Sequence, residues 1–166
     1  MHQIIIIFVE PKQENLRFFI AISFHFRSDV FKAMFSSENF VENTKHEANV
    51  NDFEPDIVDN FLKFLYSDKL DNPELFNSVD LLLMSDKYQV CGLRKKCEEA
   101  LIEDIGPSNA IQLLVVASRI QAPLLVARSA NSIFINLDMF VGTEEWNEIV
   151  KPSAEIMNLI FTHHVL

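Results

Sequence analysis

The chain has 166 residues, 14 Lys and Arg against 24 Asp and Glu, a formal net charge of −10 and 49% apolar residues. That is the size of one domain with a short extension, and it is long enough to bury a real core. The acidic balance excludes a nucleic-acid platform, which needs clustered Lys and Arg for phosphate, and the ordinary globular composition excludes whole-chain disorder.

Ile4 to Val9 is apolar and β-branched, and Glu10-Pro11-Lys12 ends it. The run is short for the ~7–15-residue core of a secretory signal and reads as a strand. Residues 3–9 and 16–22 are expected to pair as a hairpin across the polar turn at Glu10 to Asn15. Leu16, Phe19, Ile20 and Phe24 also fit a helical face, so a helix over 16–26 competes with the second strand. Ser28-Asp29 can cap a short helix through Val30, Phe31, Met34 and Phe35. Residues 36–47 are polar, with apolar Phe40 and Val41 in their middle; a loop of that length tends to be functional. Ala48 to Asn51 reads as a short strand.

Glu54-Pro55-Asp56 opens a helix, because a proline in the first turn loses no needed N–H. Ile57, Phe61, Leu62 and Leu65 supply its apolar face. Leu75, Phe76, Val79, Leu82 and Leu83 predict the next helix, running to Tyr88 as one element. Leu93 to Ile102 predicts a short helix stopped by Gly106-Pro107. Ser108-Asn109 should cap a helix carrying Ile111 and Leu114, and Pro123 should start another carrying Leu124, Ala127 and Ile133. Segments 144–150 and 153–162 close the array. With only three glycines and six prolines the chain lacks the turn signals of an all-β sandwich.

Few residues carry chemistry. Arg94-Lys95-Lys96 is neutralised at i,i+4 by Glu98 and Glu99, the pattern of a solvated helix. Cys91 and Cys97, six apart, make neither a disulfide framework nor a zinc knuckle and are expected as buried, reduced thiols. Lys87-Tyr88 could serve acid–base work, but a helix end with Tyr88 packed and Lys87 at the negative pole explains it as well. His163-His164 are adjacent and cannot share a metal on a helix, where ligands stand at i,i+4. No glycine-rich phosphate loop, no nucleophile elbow and no ~18-residue apolar span occurs, so neither cofactor nor membrane is expected. A small cytosolic enzyme using Lys87 or Cys91 is the remaining enzymatic reading, and no spacing supports it.

Five segments in order carry a family resemblance. Arg27-Ser28-Asp29-Val30-Phe31-Lys32-Ala33-Met34-Phe35 resembles the R-S-x-x-F-x-x-M-F segment of BTB (POZ) domains. Val50 to Pro55, Phe64 to Lys69, Asp80 to Tyr88 and Leu93 to Glu98 follow at family spacing. The likeness is to the speckle-type POZ subfamily, which joins a MATH domain to the BTB domain; Asn109-Ala110, Phe134-Ile135 and Trp146 resemble its helical extension. The first strand departs, having Ile4 to Ile7 where the family opens with Asp, and neither a MATH segment nor the helix before the first strand is matched.

The resemblance implies an α+β fold, with a small sheet from residues 3–51 packed on a helical cluster. It divides the chain into a BTB/POZ-like domain at 1–104, of which 1–26 are divergent first strands, and a helical extension at 105–166. Phe31, Phe35, Phe61, Leu65, Leu82, Leu83 and Leu93 are the expected core. Function is implied to be a non-enzymatic interaction module in the nucleus or cytoplasm, similar to substrate adaptors of cullin-3 ubiquitin ligases. Phe40-Val41-Glu42 resembles the hydrophobic-x-Glu motif offered to the cullin-3 N-terminal domain. A second implication is homo- or hetero-dimerisation with BTB proteins without cullin contact. A dimer that recruits no substrate would inhibit full-length relatives.

Overall fold

A computed structural model describes residues 4–7, 27–36, 47–50, 52–70 and 72–163. The strands among them are β1 (Ile4–Ile7) and β2 (Glu47–Val50), which form one antiparallel ladder with Ile4 opposite Val50 and Ile7 opposite Glu47. Everything else regular is helix: α1 (Asp29–Ser36), α2 (Pro55–Ser67), a 3₁₀ turn (Pro73–Asn77), α3 (Val79–Lys87) and α4 (Cys91–Glu103). These are followed by α5 (Ala110–Arg119), α6 (Pro123–Ile135), the one-turn α7 (Leu137–Phe140), a π turn (Trp146–Val150) and α8 (Ala154–Thr162).

The architecture is therefore helical, which corrects the expected α+β arrangement with a sheet packed on helices. The physical reason is size. Two strands of four residues do not make a layer; a stable sheet face needs three or more strands. The apolar faces are instead buried helix on helix, α2 against α3, α5 against α6 and α6 against α8. β1 takes β2 as a partner, whereas the sequence pattern predicts a hairpin between 3–9 and 16–22. Residues 16–22 lie outside the described residues.

Local signals explain most helix starts. The Ser28 hydroxyl accepts from the Phe31 N–H at 3.1 Å and caps α1. Pro55 and Pro123 occupy first turns of α2 and α6. Ser153 accepts from the Ile156 N–H at 3.2 Å and caps α8. Two signals act differently from expectation. Ser78 sits extended and caps α3 through the Leu81 N–H, so the single helix expected over 75–88 is cut into a 3₁₀ turn and α3. Asn109 does not cap α5; its side chain accepts from the Gly106 N–H at 2.8 Å and donates to the Asp104 carbonyl at 2.9 Å, bracing the preceding turn.

The chain divides into two units, Met1–Lys96 and Cys97–Leu166. In the first, Phe31, Phe61, Leu65, Leu82 and Leu93 are fully buried, as expected, and Leu83 is only partly so. Phe35 lies in α1, but its side chain is outside the described residues. The second unit buries Ile111, Leu114, Leu125, Ile133, Trp146 and Ile160.

Candidate protein-interaction surface

Phe40, Val41 and Glu42 lie outside the described residues; the elements on either side of them, α1 and β2, do not. Those flanks show how the segment is framed. On the N-terminal side, the buried Ser28 hydroxyl donates to the Tyr88 carbonyl, sixty residues on, while it caps α1. Phe31 stacks on Tyr88 with ring centroids 4.9 Å apart and planes 4° from parallel. Phe61 tilts against both rings, 6.3 Å from Phe31 and 5.5 Å from Tyr88. Such aromatic pairs contribute about 0.5–1.5 kcal/mol beyond their burial.

On the C-terminal side, Val50 is buried. The Asp52 carboxylate is ion-paired with the Lys87 ammonium, which stands 5.8 Å from the Phe53 ring centroid and 5.6 Å from that of Tyr88. Both flanks thus close on one turn, Lys87-Tyr88, at the end of α3. Burial pushes the Tyr88 hydroxyl above its ordinary value, with Lys87 lowering it and Asp52 raising it. Neither Ser28–Tyr88 nor Asp52–Lys87 was legible in the sequence, since partners 60 and 35 residues apart share no local pattern.

The residues considered for chemistry are placed as follows. Lys87 is half exposed and neutralised by Asp52, unlike the desolvated lysine that acid–base work needs. Cys97 is fully buried, and burial, with Glu98 adding to it, pushes its thiol up to about 12. Cys91 corrects the expectation of two buried thiols: it is exposed, with its sulfur 4.0 Å from the Gln89 carbonyl. The reason is helical geometry. Six residues at 100° each turn the two side chains onto different faces of α4.

Cys91 borders an open cleft of about 380 Å³, walled also by Arg27, Ser28, Phe64, Asp68 and Gln89. Arg27 and Asp68 pair at 2.7 Å on its rim, and Asp68 and Gln89 both hold left-handed backbone, with φ of 60° and 52°. Among the described residues the lining holds no imidazole beside the thiol, and so no nucleophile–base pair of the kind that activates cysteine. Arg94 closes on Asp86 at 2.5 Å and ties α4 to α3. Among the described residues no three His, Cys, Asp or Glu side chains gather where a metal could be held, and no helix is long and apolar enough to cross a membrane.

A family profile described as BTB/POZ domain matches residues 22–105. Among curated proteins the chain is similar to Protein maternal effect lethal 26 of Caenorhabditis elegans, 28% identical over 136 residues, covering 82% of this chain and 34% of that protein. It is similar to BTB and MATH domain-containing protein 42 of the same animal, 28% identical over 132 residues, covering 79% and 32%. TD and POZ domain-containing protein 5 of Mus musculus is 28% identical over 132 residues, covering 79% and 38%. The chain thus spans about a third of the length of these relatives.

Proposed function

This chain belongs to the BTB/POZ domain family, and we propose that it works as a substrate adaptor of a cullin-3 ubiquitin ligase, binding the cullin N-terminal domain through Phe40, Val41 and Glu42. A BTB domain is a protein-interaction domain, so the contribution is proximity, not chemistry. The observation that carries the reading is the family match over 22–105, which includes the Phe40-Val41-Glu42 segment. A relative named for BTB and MATH domains supports it. Phe40 would be buried by the partner, about 1.5–3 kcal/mol for a whole phenylalanine, and Glu42 would set register and speed encounter more than it adds affinity. The fastening of both flanks to Lys87-Tyr88 would hold the segment ready, lowering the ordering cost of binding. Substrate would be held by other parts of a longer chain or by a dimer partner.

The test is a pull-down with purified cullin-3 N-terminal domain, comparing wild type with Phe40→Asp and Glu42→Lys, with circular dichroism as the folding control. Binding by wild type and its loss in both variants is expected. A well-folded wild type that does not bind refutes the adaptor reading.

One observation favours a second reading, an oligomerisation module. The first strand, although it departs from the family pattern, still pairs, with β2. Light scattering on the same samples decides it: a dimer that binds no cullin supports this reading, and a monomer removes it.

A further inference from the structure

We infer that the second unit carries its own docking surface, a group of exposed apolar side chains within a net-acidic stretch, for a partner segment that combines apolar side chains with Lys or Arg. Ile135, Met139 and Val141 are 67%, 56% and 55% exposed, three large apolar side chains within seven residues. Exposed apolar residues singly need no explanation; grouped and rimmed by polar residues they mark interaction sites.

Nor is the segment a loose loop. The Asn136 N–H donates to the Ile133 carbonyl at 3.3 Å, that of Met139 to Asn136 at 2.9 Å, and that of Val141 to Leu137 at 2.9 Å. Buried Phe140 and Trp146 pin it to the unit, and the Thr143 hydroxyl accepts from the Trp146 N–H at 3.2 Å. Next to Ile135 in the chain, Phe134 meets the partly exposed Phe161 of α8 edge-on at 5.9 Å. A surface fixed this way binds without first being ordered.

Charge selects the occupant. From Arg128 to Lys151 there are four carboxylates, Asp138, Glu144, Glu145 and Glu148, against two cations, Arg128 and Lys151, one at each end. A second copy of this chain docking by the same face would set carboxylate against carboxylate, and an anionic membrane would be repelled. An amphipathic segment with basic flanks satisfies both the apolar side chains and the net-acidic stretch that carries them.

The experiment is fluorescence anisotropy of three labelled peptides against the full chain: an amphipathic leucine–lysine peptide, its leucine–glutamate counterpart and a serine–lysine peptide of equal charge. The leucine–lysine peptide should bind with an affinity that falls as salt rises. Ile135→Ser with Met139→Ser should weaken it about tenfold, the loss expected for removing large apolar contacts. Asp138→Lys with Glu144→Lys should weaken it several-fold. Asp59→Lys with Glu74→Lys, the same charge change on exposed positions of the first unit, should leave it unaltered. The inference is overturned if either control peptide binds equally well, or if the Asp59 and Glu74 pair costs as much as the Asp138 and Glu144 pair. It is also overturned if light scattering shows a dimer that Ile135→Ser splits, which would make a second copy the occupant. Every position altered is exposed, so the fold should persist, as circular dichroism will verify.

Discussion

Ser28→Ala is the most informative perturbation of the first unit, because one buried hydroxyl makes two bonds. It accepts from the Phe31 N–H and so caps α1, and it donates to the Tyr88 carbonyl. Loss of a serine cap costs about 0.5–2 kcal/mol. A buried carbonyl stripped of its donor costs about 1–3 kcal/mol, and at 2% exposure of Ser28 water has no ready access to replace it. The two losses share one group, so about 2–4 kcal/mol together is expected, or a fall in melting temperature of roughly 5–10 °C for a chain of this length. Ser28→Gly separates them. Glycine is nearly as good a cap, within a few tenths of a kcal/mol, so its cost isolates the Tyr88 bond. Ser28→Thr keeps both bonds and should restore most of the stability. The assay is urea unfolding followed by helical circular dichroism, compared at unchanged slope. Ala and Gly variants both within ~0.5 kcal/mol of wild type would refute the reasoning, since neither bond would then stabilise the fold.

Three further outcomes follow from single positions. Asp68 holds φ 60° and an exposed pair to Arg27. Asp68→Gly should gain about 1 kcal/mol from backbone and lose less than that from the ion pair, while Asp68→Ala should lose about 1–2 kcal/mol; equal melting temperatures for the two would contradict this. Cys97, raised from 9.0 to about 12, stays protonated in the fold but not in the unfolded chain at high pH. Its stabilisation is therefore full below about pH 9 and lost as pH rises toward about 12, by about 1.4 kcal/mol per pH unit, with Tyr88 acting in the same direction. A thiol reagent at neutral pH should accordingly label Cys91 quickly and Cys97 only on unfolding; two equally fast thiols would show that Cys97 is not buried. The Ser129 hydroxyl is buried without a hydrogen-bond partner among the described residues, so Ser129→Ala should leave the melting temperature unchanged or raise it, and a fall of several degrees would reveal a bond.

Helix positions were readable wherever a local rule decides them. Ser28, Pro55, Pro123 and Ser153 mark starts by chemistry that acts within one turn, and Phe31, Phe61, Leu65 and Leu82 follow the 3.6 period into the core. Where a long-range choice decides, the pattern fails. Nothing local in Ile4–Ile7 announces its pairing with Glu47–Val50, which lies beyond α1. Ser78 in an apolar run reads as an interior residue until its backbone is seen to be extended. Cys91 is a different kind of miss. The helix expected from Leu93 starts at Cys91, and only with both thiols on one helix does counting at 100° per residue put them on different faces. The candidate site divides the same way: the motif residues stand in the sequence, whereas the contacts that frame them are tertiary.

Those contacts bear on how a variable segment can sit on a shared fold. The N-terminal flank of residues 37–46 is fixed by Ser28 and Phe31, the C-terminal flank by Asp52 and Phe53, and all four meet Lys87 or Tyr88. These bonds are made between residues on either side of the segment, so on the adaptor reading substitutions at Phe40, Val41 or Glu42 should act on binding and leave stability within about ±0.5 kcal/mol. The reverse holds for Tyr88. Tyr88→Ala removes the ring stacked on Phe31 and facing Phe61, a loss of about 3–5 kcal/mol by analogy with other buried aromatic truncations, and releases the partner of Lys87 on one side. Comparing Phe40→Asp with Tyr88→Ala in both the pull-down and urea unfolding separates the two roles. Phe40→Asp should change only binding, and Tyr88→Ala should change stability and, through the freed flanks, binding as well. If Phe40→Asp destabilises the chain as much as Tyr88→Ala does, Phe40 is a core residue and the surface reading of the segment fails.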